Sequence, residues 1–249
     1  MMKINLQAVW EGIISLLTGG VLAGLVVTGR YLSLVVPRMK LFICLAAVIF
    51  ILWGIASLIQ AKRPVYRLAY AHCLALLIPV LLLFSPLLLG AAYSADSRTA
   101  SQTIEQQNID PRPFGIDFDT VKGDGIDAAH KKIMVTTANY YPLILKLTQH
   151  IKDYEGYEVY MIGFVSYDDK SLTNNNFTLA RYLMACCIND VSPFGLICNY
   201  SGDIHWKEYQ WLAVKGQLGY REYHGLIQPT IAVKEVVPAK RVAGYIYPY

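Results

Sequence analysis

The chain has 249 residues, 55% of them apolar and 16% charged, with a mean hydropathy of +0.36 and a formal net charge of +4. Such values are high for a soluble protein, and the length suffices for one large domain or two modest parts. Residues 1–93 hold seven basic side chains against Glu11 alone, so the positive charge comes from the flanks of apolar runs and excludes a phosphate-binding surface as its source, while five cysteines, an odd number, exclude a closed disulfide framework.

No formal charge occurs between Glu11 and Arg30, between Lys40 and Lys62, or between Arg67 and Asp96, where His72 is the one side chain of a type that titrates near neutral pH. A helix needs about 20 apolar residues to cross a hydrocarbon core. The pattern therefore predicts three membrane spans, at about 13–29, 41–61 and 68–93, rather than a signal peptide with its single short run. In the first, Gly20 and Gly24 form a G-x-x-x-G pair that can let two helices approach closely. Pro37 ends or kinks a helix before Arg38 and Lys40, and Pro79 and Pro86 predict a kink in the third span. Cys44 and Cys73 fall inside spans, where a thiol serves as a small apolar filler. The spans carry no Asp, Glu, Lys or Arg in their interiors, which speaks against a transport pathway and for an anchor or a subunit packed on a larger partner. After the third span Arg98 is the single basic residue before Arg112, which favours an extracytoplasmic placement of the C-terminal part in a multi-pass protein of the cell membrane.

Residues 94–131 are polar, contain Pro111 and Pro113, and lack apolar periodicity, so they are expected to form a linker. Their Asp117, Asp119, Asp124 and Asp127 miss the calcium-loop spacing and predict a solvated turn. From residue 132 the chain reads as a compact, mainly β domain, 132–249. "KIMVTT" predicts a short strand. A helix comes next, with Asn139 at its cap, Leu143, Leu147, Ile151 and Tyr154 on one face, and Gly156 at its end. Strands are expected at 157–167, 176–188, 194–200, 211–220 and 229–237. Five strands with Gly163 and Gly216 inside two of them predict an OB-like five-stranded barrel preceded by a helix.

The run "YEGYEVYMIGFVSY…FTLARYLMACCINDVSPFGLICNY…WLAVKGQLGY…QPTIAVKEVVPAKRVAGYIYPY", together with "VPRM" between the first two spans, resembles the YcgQ-like family of two-component permease subunits. The elements "G-F-V", "L-A-R" and "C-C-x-x-D" carry the resemblance, which extends over most of the chain; the acidic linker and Cys198 lie outside the matched elements. It implies membrane spans joined to a C-terminal domain of unknown function, working with a separate multi-span permease.

Cys186, Cys187 and Cys198 are the informative thiols. On a continuous strand, neighbouring side chains point to opposite faces, so Cys186 and Cys187 would share a ligand only across a bulge. A tight hairpin through Asn189–Pro193 would set Cys198 opposite Met184 and Cys186, with Asp190 at the turn. Packing thiols, a soft-metal site and redox chemistry all remain open; Cys186, Cys187 and Asp190 are the metal candidates, with His205 and His224 distant additions. Arg181, inside an apolar strand face, is a further functional candidate, or else half of a salt bridge at the barrel mouth. Alternating Tyr245, Tyr247 and Tyr249 suit an added strand or a stacking surface. No G-x-S-x-G, P-loop or dinucleotide fingerprint is present, so no enzyme activity, catalytic residue or cofactor is assigned. Eleven basic and ten acidic residues from Lys132 onwards are too balanced for a nucleic-acid groove. The expected role is a non-catalytic membrane subunit whose OB-like domain docks on or regulates a multi-span permease within the lipid bilayer. The alternatives are a membrane-anchored metal- or thiol-redox protein using Cys186 and Cys187, or an OB-fold nucleic-acid module.

Overall fold

The computed structural model describes residues 5–61, 109–110, 112–118, 121, 123–168, 172 and 175–249. The chain divides into two units, Met1–Ile104 and Glu105–Tyr249. The expected third span at 68–93, with His72 and Cys73, lies outside the described residues, as does the linker from 94 to 108.

In the first unit, α1 (Leu6–Val27) and α2 (Lys40–Gln60) correspond to the first two expected spans, and both are long and apolar enough to cross a membrane. Helix α1 starts before the expected Ile13. Asn5 caps it through Oδ1, which accepts the Ala8 N–H at 3.2 Å, and Gln7 donates to Glu11 one turn on at 2.9 Å. Its end is closed by Thr28, whose hydroxyl donates to the Gly24 carbonyl at 2.7 Å, and by Gly29 in the left-handed region.

The two helices run antiparallel and touch where side chains are smallest. A Cβ on Gly12 would lie 2.7 Å from Leu58 Cγ, one on Gly54 would lie 3.0 Å from the Gly12 carbonyl oxygen, and one on Gly19 would lie 3.0 Å from that of Ala47. Gly20 and Gly24, the expected contact pair, have nothing within 4 Å. Sequence spacing marks glycines able to form a close approach; which stripe does so depends on how the facing helix is rotated.

The second unit is a seven-stranded sheet: β1 (Ile126–Asp127), β2 (Lys132–Val135), β3 (Glu158–Ser166), β4 (Asn176–Leu183), β5 (Ser192–Asn199), β6 (Trp211–Tyr223) and β7 (Leu226–Pro238). β3 pairs with β4 and β6, β4 with β5, β5 with β7, and β7 with β6, so the pairings return to their start. β5–β7 and β2–β3 are parallel; the remaining pairs are antiparallel. One edge of β3 is shared, with β2 taking residues 158–161 and β4 taking residues 164–166. At Gly163, between those stretches, a Cβ would stand 2.6 Å from the Ala180 carbonyl oxygen. The glycine permits β4 to come in at that point.

Helix α3 (Tyr140–Gln149), continued by a turn at Ile151–Tyr154, buries Tyr140, Leu143, Ile144, Leu147 and Ile151 in a core shared with Val159, Met161, Phe177, Leu179, Leu212 and Ile231. Its face is the one the 3.6-residue period predicts. Asn139 does not cap it through its side chain. Instead Oδ1 accepts the Thr136 N–H at 2.7 Å and Nδ2 donates to the Met134 carbonyl at 3.1 Å, tying β2 to the helix start.

Three sequence expectations change here. The sheet has seven strands rather than five, because the expected short strand β2 and the unforeseen β1, inside the expected linker, join the five longer ones. β6 and β7 are longer than expected and pair with each other from Leu212 to Tyr223. β4 stops at Leu183 rather than Ile188. Beyond Leu183 the backbone donors leave the ladder: Met184 N–H bonds the Ile246 carbonyl at 2.9 Å, and the next three go to a side chain.

Candidate functional site

That side chain is Asp190. The backbone N–H groups of Ala185, Cys186 and Cys187 donate to its carboxylate at 3.0, 2.6 and 3.2 Å. One carboxylate thus closes the loop between β4 and β5, and a 3-10 turn at Ile188–Asp190 completes it. At the same turn Cys187 Sγ accepts the Asp190 N–H, making the contact reciprocal. Because the strand has ended, adjacent side chains no longer alternate across a sheet. The two sulfurs and a carboxylate oxygen of Asp190 all lie within 4.8 Å of one another. Cys186 is exposed and Cys187 half-buried.

The electrostatics arise from this packing. The Cys186 thiol hydrogen-bonds to Asp190 and, with the backbone N–H groups of Cys186, Cys187 and Ala185, holds its carboxyl below the ordinary range. The same bond, with a second to Cys187, pushes the Cys186 thiol up to about 12. A thiol that keeps its proton at neutral pH is a poor nucleophile. The raised thiol speaks against thiol–disulfide catalysis, and a ligating sulfur would likewise have to give up its proton to the solvent.

Cys198 does not join the pair. It faces Phe177 across the ladder rather than Met184 or Cys186, since the loop spans residues 184–191 and the last rung is Leu183–Ser192. It is fully buried, donates weakly to the Leu196 carbonyl at 3.8 Å, and burial pushes its thiol well above the usual range. It is a core side chain. Among the described residues no histidine joins Cys186, Cys187 and Asp190. His205 lies against Trp206, and His224 sits at the β6–β7 turn beside Tyr223. In the acidic stretch, Asp124 accepts from the Ile126 N–H and from Lys146, and Asp127 holds His130, as expected of a turn.

Arg181 is 2% exposed. It has no carboxylate partner among the described residues, so the alternative of a salt bridge at the barrel mouth is not what the structure holds. Its guanidinium lies over the rings of Tyr140 at 5.8 Å and Trp211 at 5.7 Å, while Nη1 donates to Thr137 Oγ1 at 3.2 Å. Facing aromatic rings take the place of a carboxylate. The aromatic tail adds to the sheet as expected: Ile246 bridges Leu183 in parallel and its N–H bonds the Tyr182 carbonyl at 2.8 Å, while Tyr247 and Tyr249 stack. A groove of about 400 Å³, unforeseen from the sequence, is lined by Ser166, Asp168, Thr178, Phe194, Ile197 and Gln228. It forms from residues of α3, β3, β4, β5 and β7, so no local motif announces it.

Residues 120–248 match the family described as the DUF1980 C-terminal domain, whose matched segment holds the sheet from β1 to β7, the Asp190 loop and the tail up to Pro248. No curated protein matches the chain.

Proposed function

The chain belongs to the DUF1980 C-terminal domain family, and from that premise we propose that it is a non-catalytic membrane subunit that works with a separate multi-span permease. Its resemblance to the YcgQ-like family points the same way. The observation that carries the reading is the outer face of the helix pair. Leu41, Phe42, Leu45, Leu52, Trp53 and Ile59 on α2 and Leu17 and Val27 on α1 are exposed, and no charged residue interrupts them. Lipid or partner helices would cover such a face; water would not. In this reading residues 68–93 supply a third span, and the β unit lies outside the cytoplasm and docks on the partner. The closed circuit of pairings β3–β4–β5–β7–β6, with its one parallel step between β5 and β7, supports an OB-like five-stranded barrel for that unit.

Affinity purification of the full chain from native membranes in mild detergent tests this. The expected result is a multi-span membrane protein in fixed ratio to it, lost when residues 105–249 are deleted. Recovery of the chain with no membrane protein partner would overturn the reading. The nucleic-acid alternative is less well supported, since neither the balanced charge nor the placement of the aromatics, mostly paired with one another, makes a basic stacking groove.

A further inference from the structure

We propose that Cys186, Cys187 and Asp190 form an open site for a thiophilic divalent cation, Zn2+, held by two sulfurs and a carboxylate with coordination positions left free. The proposal goes beyond the subunit reading and does not depend on it.

Packing does not account for the loop. Cysteine is among the most buried residue types, yet here two adjacent cysteines stand at the surface, one exposed and one half-buried. Turn formation does not account for it either. Asp190 alone receives the N–H groups of residues 185–187, and none of those bonds needs a sulfur. Both sulfurs nevertheless turn to Asp190, Cys187 accepting its N–H and Cys186 bonding its carboxylate, which brings all three ligand atoms within 4.8 Å of one another. Zinc bonds of about 2.3 Å to sulfur and about 2.0–2.2 Å to oxygen set tetrahedral donors roughly 3.5–3.8 Å apart, so three donors within 4.8 Å of one another come onto one ion through small side-chain rotations.

The loop is also held by its own hydrogen bonds. Three N–H bonds hold Asp190, and the Asp190 N–H is aimed at Cys187 Sγ. That N–H stabilises the negative charge a ligating sulfur retains, in the manner of groups around known metal sites. Asp190 Oδ1 accepts one N–H, from Ala185, and keeps a lone pair for a cation. A mixed sulfur and oxygen set suits borderline-soft zinc better than copper(I), which favours sulfur throughout. Structural zinc takes four protein ligands, whereas three with an open position is the pattern of sites that exchange a ligand. The exposed position of Cys186 fits such exchange. Uptake of one Zn2+ by two thiols releases two protons, and no electron transfer is involved.

The test uses the full chain purified in detergent with a thiol-free reductant and titrated with Co2+ as a spectroscopic stand-in, then with Zn2+ against a chromophoric chelator. The expected result is one equivalent of Co2+ with sulfur-to-cobalt charge transfer, displaced by Zn2+. Cys186→Ser and Cys187→Ser should each weaken Zn2+ binding by at least about 100-fold, and Asp190→Asn by about 10- to 100-fold. Cys44→Ser, in the helix pair, should leave it unchanged. Circular dichroism and melting temperature of each variant separate a lost ligand from a lost fold, and a Cys186→Ser chain that melts like the parent decides the matter if Asp190→Asn unfolds. Absence of stoichiometric binding, absence of the charge-transfer band, or binding retained in the Cys186→Ser/Cys187→Ser double variant would overturn the proposal.

Discussion

The helix pair and the sheet are built inside out with respect to each other. Buried positions in α1 are Ala8, Gly12, Ile14, Ser15, Thr18, Gly19 and Leu25, mostly small, and in α2 they are Ala47, Gly54 and Ser57, while most leucines and isoleucines, Phe42 and Trp53 face outward. In the sheet Phe164, Phe177, Leu179, Leu212 and Ile231 are inside, and the exposed positions are largely polar. One chain thus obeys two packing rules. Burial of apolar area drives a core where the surroundings are water. Where they are as apolar as leucine, that drive is absent and helices associate through small residues that let their backbones meet.

The largest effect that would sharpen this contrast is in the sheet core. Phe177→Ala should destabilise the β unit by about 3–5 kcal/mol, since a fully buried ring leaves a cavity. Leu52→Ala on the outer face of α2 should leave the stability of the helix pair almost unchanged. Denaturant unfolding of the full chain in detergent, monitored by tryptophan fluorescence and by helix signal, measures both. A comparable loss for Leu52→Ala would break the contrast.

Next comes the helix contact. Gly54→Leu should cost about 1–3 kcal/mol of helix pairing, because its Cβ meets the Gly12 carbonyl oxygen at 3.0 Å and Leu16 Cγ at 2.7 Å. Gly24→Leu, with nothing within 4 Å, should be neutral. Cross-linking between cysteines introduced on the two helices reports the difference, and equal effects would place the contact elsewhere.

A local effect is expected at the site. Asp190→Ala removes the acceptor of three N–H groups, so hydrogen exchange at residues 185–187 should rise to that of an open loop while the strands stay protected. Unchanged protection at those amides would contradict the described loop.

The smallest effect depends on pH. The Tyr160 hydroxyl, donating at 2.6 Å, and then Lys215, hold the Glu158 carboxyl below its ordinary value of 4.5. A carboxyl depressed in the folded state contributes stability above its ordinary value, and that contribution is lost as pH falls through the depressed one. Both groups of the ion pair are partly exposed, so the gain is about 0.5 kcal/mol or less. Tyr160→Phe should narrow the drop in melting temperature between pH 6 and pH 3, after allowance for its own packing loss; an unaltered drop would remove the carboxyl from the account.

Much of this architecture is legible in the residues. Charge-free runs locate α1 and α2, and the period of Leu143, Leu147 and Ile151 gives the α3 face. The site is half legible. Cys186, Cys187 and Asp190 stand out as residue types that ligate metals, yet strand alternation argues for separating the thiols. What reunites them is the transfer of three backbone donors from the ladder to one carboxylate, and periodicity carries no information about that choice. Cys198 is misplaced by the same reasoning, because an eight-residue loop shifts every rung after it. Arg181 is legible as unusual, but its aromatic partners come from α3 and β6, far away in sequence.

The proposed division into a lipid-facing pair of helices and a water-facing sheet is tested most directly by fractionation. After detergent-free lysis, the full chain should sediment with membranes at high speed and stay there through an alkaline carbonate wash. Recovery of folded full-length chain in the supernatant would contradict the account.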